Sequence, residues 1–193
     1  HIMRTKNYVQ IMANYLLRRP RFRDQLDRES VELLLKSAPL HDIGKVGIVD
    51  DILLKPGSLT PDEWEQMKKH TILGRDAIIR AEEALGSDQN TSFLRIAREI
   101  TISHHEKWDG SGYPHGLKGE EIPLAGRIMA MADVYDALIS KRVYKAPMSH
   151  DQAVRIISEG DGRTTPDHFD PDLLMAFMEL NQQFQHIAQA FKD

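Results

Sequence analysis

The chain has 193 residues, enough for one domain with a sizeable core, and its 41% hydrophobic and 28% charged content is that of an ordinary globular protein. A formal net charge of −4 offers no surface for duplex DNA, and the lack of cysteine excludes disulfides, thiolate nucleophiles and cysteine-ligated zinc. No apolar run approaches the roughly 20 residues of a bilayer-spanning helix, so neither DNA nor membrane is expected as a partner of this stretch.

The pattern is helical from the start. Thr5, Tyr8, Met12 and Leu16 recur at helical spacing, and His1 begins the same inward stripe of a helix predicted over 1–19. Pro20 breaks it. A second helix is predicted over 26–40, with Leu33, Leu34, Leu35, Ala38 and Leu40 as its apolar bulk. It runs into His41-Asp42-Ile43-Gly44-Lys45, where an imidazole and a carboxylate stand side by side and Lys45 follows one helical turn later. The stretch 46–57 reads as irregular and ends in the turn Lys55-Pro56-Gly57. Thr60-Pro61-Asp62-Glu63 then starts a helix, with Thr60 as N-cap, Pro61 at the first helical position and Glu63 closing a capping box. That helix is predicted to continue with Met67, His70, Leu73, Gly74 and Ala77 on its inward face and Lys68 and Lys69 on its solvated face.

After a loop at 86–90, the segment 91–103 carries Phe93, Leu94, Ile96, Ala97, Ile100 and Ile102 nearly all round and is expected to be deeply packed. It delivers His104 and His105 into the stretch HHEKWDGSGYP, residues 104–114. The Gly-Ser-Gly-Tyr-Pro turn there lets backbone approach a ligand closely and then stiffens the exit. A further buried helix is predicted over 124–140, where Asp133 and Asp136 share one side among apolar neighbours. Ionised carboxylates in such a setting need a partner, either a cation such as Arg127 or a bound metal, and metal is favoured for Asp133. Lys141-Arg142-Val143-Tyr144-Lys145 follows, cations that suit either a phosphate-bearing substrate or a helix end. An amphipathic helix over 153–159, a polar loop over 160–166 and a last helix from Phe169-Asp170-Pro171 to about Phe191 complete the chain, the last with Leu173, Leu174, Phe177, Met178 and Phe184 inward. No strand series is present, and the expected fold is all-α, a compact bundle of about seven helices.

Each histidine is a weak signal alone. Together, buried helix faces and helix ends offer His1, His41, Asp42, His70, His104, His105 and Asp133 as ligands. This imidazole–carboxylate mixture suits a first-row metal such as iron, manganese, nickel or zinc, and two ions are easier to satisfy than one. Two ions would also suit an in-line phosphoryl displacement.

The motifs His41-Asp42-Ile43-Gly44-Lys45, Leu54-Lys55-Pro56-Gly57, His70 in KKHTILG, residues 104–114, Ile122-Pro123-Leu124, Asp133 in ADVYDAL, KRVYK and His168-Phe169-Asp170-Pro171 recur in order along essentially the whole chain. In them the chain resembles the HD-GYP family, bacterial cyclic di-GMP phosphodiesterases within the HD-domain metal-dependent phosphohydrolases. The resemblance implies two divalent ions, iron or manganese before nickel or zinc. His1, His41, Asp42 and Asp133 would hold one, and Asp42 would bridge to a second held by His70, His104 and His105. A metal-activated water would attack the diester. Lys45 would stabilise phosphate charge or protonate the leaving oxygen, with Asp109 or Asp136 assisting. Gly112, Tyr113 and Pro114 would form the substrate loop, Tyr113 against guanine, with Arg142 and Lys145 on the phosphates. The product would be pGpG, GMP or both, in the bacterial cytoplasm.

The chain starts at His1 rather than at a methionine and is expected to be a piece of a longer protein. Family resemblance implies an upstream regulatory or receiver domain controlling access or homodimer formation, and diguanylate cyclase domains as further partners. Rival expectations are an HD-domain hydrolase of other nucleotides, which has no need of the 104–114 loop, and a module that binds cyclic di-GMP without turnover.

Overall fold

The protein is described here by a computed structural model covering residues 1–86, 92–140 and 147–191, with the side chain of Ser92 left aside. Nine α-helices are seen among the described residues, more than the seven expected, and no strand. They are α1 (Ile2–Leu16), α2 (Arg28–Ser37), α3 (Asp50–Leu53), α4 (Pro61–Lys68), α5 (His70–Leu85), α6 (Ser92–Ser103), α7 (Leu124–Ile139), α8 (His150–Glu159) and α9 (Pro171–Ala190). Part of the excess comes from a break at Lys69. It caps the end of α4 and precedes α5, where one continuous helix was expected, so His70 opens a helix instead of sitting inside one. The other addition is α3, one turn inside the stretch read as irregular.

The helix starts follow local chemistry. Asp27 accepts from the Ser30 amide, Thr60 from Glu63 and Ser149 from Gln152, each closing a capping box that satisfies amides left open in a first turn. Asp170 caps α9 through the Asp172 amide, with Pro171 in the first helical position.

The centre of the bundle is α7, which packs against α1, α6, α8 and α9. Its Ile128, Met129, Met131, Ala132 and Tyr135 are fully buried, together with Tyr8, Met12, Leu16, Phe177 and Phe184. Rings interlock there: Tyr8 stacks on Phe184 at 4.6 Å and meets Tyr135 edge-on at 5.3 Å. Met178, expected inward, is 40% exposed, because Leu173, Ala176, Phe177 and Leu180 take the core-facing side of α9.

Two buried ion pairs brace the two ends of α7. Arg127 Nη1 donates to Asp170 Oδ2 at 2.6 Å and its Nε to the Ile122 carbonyl at 2.9 Å. Arg4 Nε donates to Asp136 Oδ1 at 2.7 Å. The cation partner of Asp136 is therefore Arg4, from the far end of the sequence, while Arg127 is taken up by Asp170.

Candidate metal centre

Five elements converge on one spot. His1 precedes α1, His41 and Asp42 lie in the turn after α2, His70 opens α5, His104 and His105 follow α6, and Asp133 projects from α7. The approach of the Asp42 turn to α5 is set by glycine. A Cβ on Gly44 would lie 1.9 Å from the His70 carbonyl oxygen and 2.4 Å from the Gly74 amide nitrogen, so only bare backbone fits.

Around Asp42 the hydrogen-bond accounting fails in one direction. His70 Nδ1 donates to the Met67 carbonyl at 2.7 Å, and His104 Nδ1 to the Ile100 carbonyl at 3.0 Å. A carbonyl only accepts, so Nδ1 carries the proton in both rings and Nε2 presents a lone pair. Those Nε2 atoms lie 3.4 and 3.7 Å from the same Asp42 Oδ1. All three atoms are buried and have no hydrogen-bond partner among the described residues. Two lone pairs facing a carboxylate oxygen repel unless a cation stands between them. Donors about 2.1 Å from one ion sit about 3.0–3.4 Å apart, close to the spacing seen. Ligand atoms of Asp42, His70, His104 and His105 all lie within 4.8 Å of one another, as do those of His1, His41 and Asp42. The residues therefore fit a divalent metal ion.

The second nest uses the other oxygen of Asp42. His41 Nε2 is 3.4 Å from Asp42 Oδ2, 3.3 Å from His1 Nε2 and 3.9 Å from Asp133 Oδ1. His1 Nε2 is 3.8 Å from that Asp133 oxygen. His41 Nδ1 donates to the Ala38 carbonyl at 2.9 Å. His1 Nδ1 is 2.7 Å from Asp136 Oδ2, the carboxylate–histidine arrangement that orients a metal-binding ring.

The electrostatics favour neutral rings at His70 and His105 and an ionised bridge, while His41, despite its burial, is pushed up by the Asp42 and Asp133 carboxylates. Burial, joined by the His104 imidazole, pushes His70 down to about 4. Burial and the neighbouring imidazoles likewise push His105 well down. Burial would raise the Asp42 carboxyl, but the His104 and His41 rings beside it and the Lys45 charge hold it far below the usual carboxylate range. Lys45 Nζ reaches Asp42 Oδ2 at 2.5 Å from a side chain 40% exposed, placing an ammonium at the mouth of the cluster.

All seven expected ligands are brought together. The loop expected to hold substrate packs against the cluster and against itself. Tyr113 stacks on His105 at 4.8 Å with its ring 27° off parallel, and the Tyr113–Pro114 peptide is cis. Gly112 makes its close approach to the loop's own backbone, since a Cβ there would lie 2.4 Å from the Lys107 amide nitrogen. Asp109 is not brought to the cluster: its Oδ1 accepts from the Ser111 amide and hydroxyl, and its Oδ2 faces His168 at 3.9 Å. Asp136, expected at the substrate, is 1% exposed and held by His1, Arg4 and Ser140, so neither oxygen is open to a ligand from solvent. Arg142 and Lys145 lie outside the described residues.

Three contributors escape the sequence. Glu106 is buried, and its carboxylate accepts the His115 amide at 2.7 Å and the Leu117 amide at 3.0 Å, pinning the loop that carries Tyr113. Its only signal is an acid next to the paired histidines. Arg4 carried none. Lys68, read as solvated, lays its ammonium 5.8 Å from the Tyr113 ring centre.

An all-α bundle that gathers imidazoles from separate elements around one shared aspartate has the donor set of a divalent-metal centre. A sequence profile of the HD domain matches residues 5–173. The chain is 52% identical over 193 residues to a probable cyclic di-GMP phosphodiesterase of Vibrio cholerae and 54% identical over 193 residues to a cyclic di-GMP phosphodiesterase of the same organism, spanning 42% and 38% of those proteins. It is 45% identical over 157 residues to a cyclic di-GMP phosphodiesterase of Thermotoga maritima, an alignment covering 81% of this chain and 39% of that protein. The chain belongs to the HD-domain family, and within it to the HD-GYP branch. It spans about two fifths of the length of these curated relatives. No helix among the described residues is long and apolar enough to cross a membrane.

Proposed function

We propose that the chain is the catalytic part of a longer bacterial signalling protein, a metal-dependent phosphodiesterase that hydrolyses cyclic di-GMP to pGpG, GMP or both and so lowers the messenger in the cytoplasm. The observation that carries this reading is the convergence of Asp42 Oδ1, His70 Nε2 and His104 Nε2, buried and without partners. The relatives' cyclic di-GMP activity supports the choice of substrate.

His1, His41, Asp42 and Asp133 would hold one ion, and Asp42, His70, His104 and His105 a second, with iron or manganese ahead of nickel or zinc. When bound, such ions supply Lewis acidity and acidify a coordinated water. The chain's own residues do the rest. Asp42 lends one oxygen to each nest and stays ionised. Asp136 orients His1, and backbone carbonyls orient His41, His70 and His104. Lys45, with its ammonium at the mouth, meets the phosphate charge and is placed to protonate the departing ribose oxygen. Tyr113 walls the guanine side, braced by Glu106. An upstream regulatory or receiver domain would control access or homodimer formation, and diguanylate cyclase domains would be further partners.

The test is hydrolysis of cyclic di-GMP by protein loaded anaerobically with iron or manganese, its metal content counted. Turnover that tracks about two ions per chain is expected, and the pGpG to GMP ratio gives the endpoint. Tight binding without turnover in metallated protein would overturn the enzyme in favour of a binding module. Neither binding nor turnover would point to another nucleotide substrate of HD-domain hydrolases.

A further inference from the structure

Among the described residues only two aromatic side chains are exposed, Trp64 at 46% and Phe191 at 40%. Phe191 lies past the end of α9, with its carbonyl bound by Arg4. Trp64 stands beside the metal cluster. Its ring meets Tyr113 edge-on at 6.0 Å, and Tyr113 stacks on His105. A continuous file of rings thus runs from the outermost indole to a residue of the cluster.

The other rings in that file are committed. His105 is enclosed by His104, His70 and Tyr113 at 4.0, 5.1 and 4.8 Å. Tyr113 has His105 against it, with the Trp64 ring and the Lys68 ammonium also close. The other tryptophan, Trp108, lies under the Arg127 guanidinium at 5.6 Å. Of the two indoles, Trp64 is exposed and Trp108 half-buried.

Its position is also fixed. Trp64 sits in the first turn of α4, its amide bonded to the Thr60 carbonyl at 2.9 Å. The Thr60–Glu63 capping box holds that turn, and Lys55 clamps Glu63 at 2.7 and 2.5 Å. A large, rigid, open aromatic surface held at fixed distance from a cluster suited to phosphate chemistry is what base stacking requires. Lys45 and Lys68 add cations near the same mouth.

We propose that the open indole of Trp64 is the stacking surface for one purine base of a cyclic dinucleotide bound at the metal cluster, with Tyr113 as its buttress. This rests on the phosphodiesterase reading and deepens it. Stacking accepts any base, because every base has a π-face. Trp64 therefore supplies affinity, and guanine is discriminated elsewhere in the pocket.

The experiment compares wild type, Trp64→Ala and Trp64→Phe, manganese-loaded, on three substrates: cyclic di-GMP, a mixed guanine–adenine cyclic dinucleotide and the base-free diester methyl 4-nitrophenyl phosphate. Trp64→Ala is expected to raise KM for both dinucleotides by a similar factor, roughly 5- to 100-fold, with kcat much less affected. KM for the base-free diester should move far less, and Trp64→Phe should recover most of the loss. A parallel loss on all three substrates would mean that Trp64 only supports the loop, and would overturn the proposal. In a Trp108→Phe background, Trp64 is the sole tryptophan, and cyclic di-GMP should quench its emission. Unchanged emission at saturating ligand overturns the proposal too. If wild type turns over none of the diesters, the hydrolase reading fails, and the quenching experiment alone decides the stacking surface.

Discussion

Two buried polar nests in this bundle differ in one respect that separates architecture from chemistry. Around Arg127, the guanidinium, the Asp170 carboxylate and the Ile122 carbonyl satisfy one another, and Arg127 and Asp170 side chains are 5% and 0% exposed. Around Asp42, whose side chain is 22% exposed but whose Oδ1 is buried, that oxygen and the nitrogens of two buried imidazoles have nothing to bond among the described residues. Folding does not leave such groups unpaired without cost, since a buried polar atom without a partner costs about 1–3 kcal/mol. The first nest is complete when the chain folds. The second is complete only when something cationic arrives.

Changing each nest should therefore break different properties. The largest effect is expected for Asp42→Ala, which removes the oxygen shared by both groups of imidazoles. Bound metal and turnover should both fall to background while the helical circular dichroism stays near wild type; retained turnover would sink the bridging role. Arg127→Met should do the reverse. It strands the Asp170 carboxylate in the interior and should cost about 3–5 kcal/mol, roughly 6–20 °C in Tm, with metal stoichiometry unchanged in the folded fraction. A melting temperature within a few degrees of wild type would show that Asp170 finds another partner.

Smaller effects probe how the nests are oriented. Asp136→Asn keeps the shape but weakens the hold on His1, and metal affinity should drop about 10- to 100-fold, with activity recovered at saturating metal. Titration calorimetry that shows equal affinity would assign Asp136 to Arg4 alone. The last expected effect is on pH dependence. His70 titrates near 6.5 when unfolded but about 4 when folded, so the unfolded state binds its proton first. Metal-free protein should accordingly lose about 1.4 kcal/mol per pH unit from this group as pH falls from about 6.5 to 4, and that part of the slope should vanish in His70→Asn, leaving the part due to His105. An identical slope in both proteins would reassign the pH dependence to other groups.

What the sequence made legible was whatever is encoded by residue type and local spacing. The helix starts at Thr60 and Asp170 and the burial of α6 and α7 could be read, and the seven candidate ligands could be read as a set, since each histidine alone is a weak signal. Pairings made across the whole chain could not. Arg4 and Asp136 are 132 positions apart, and nothing near either one names the other. The break at Lys69 was hidden because the apolar spacing continues straight through it. The family resemblance implied a catalytic part for Asp109, whereas its carboxylate accepts from Ser111 and faces His168, and the loop's amides are held by Glu106, an acid with no pattern of its own.

The contact between Gly44 and α5 carries a last implication. The Asp42 turn rests main chain against main chain on the first turns of α5, with no side chain between them. The gap between the shared aspartate and His70 is thus gauged by backbone dimensions, which are the same in every protein. Substitutions elsewhere can retune pocket shape, charge and loop mobility while this caliper keeps its setting, so the substrate preference of such a bundle is free to drift without resetting the spacing of its inorganic core.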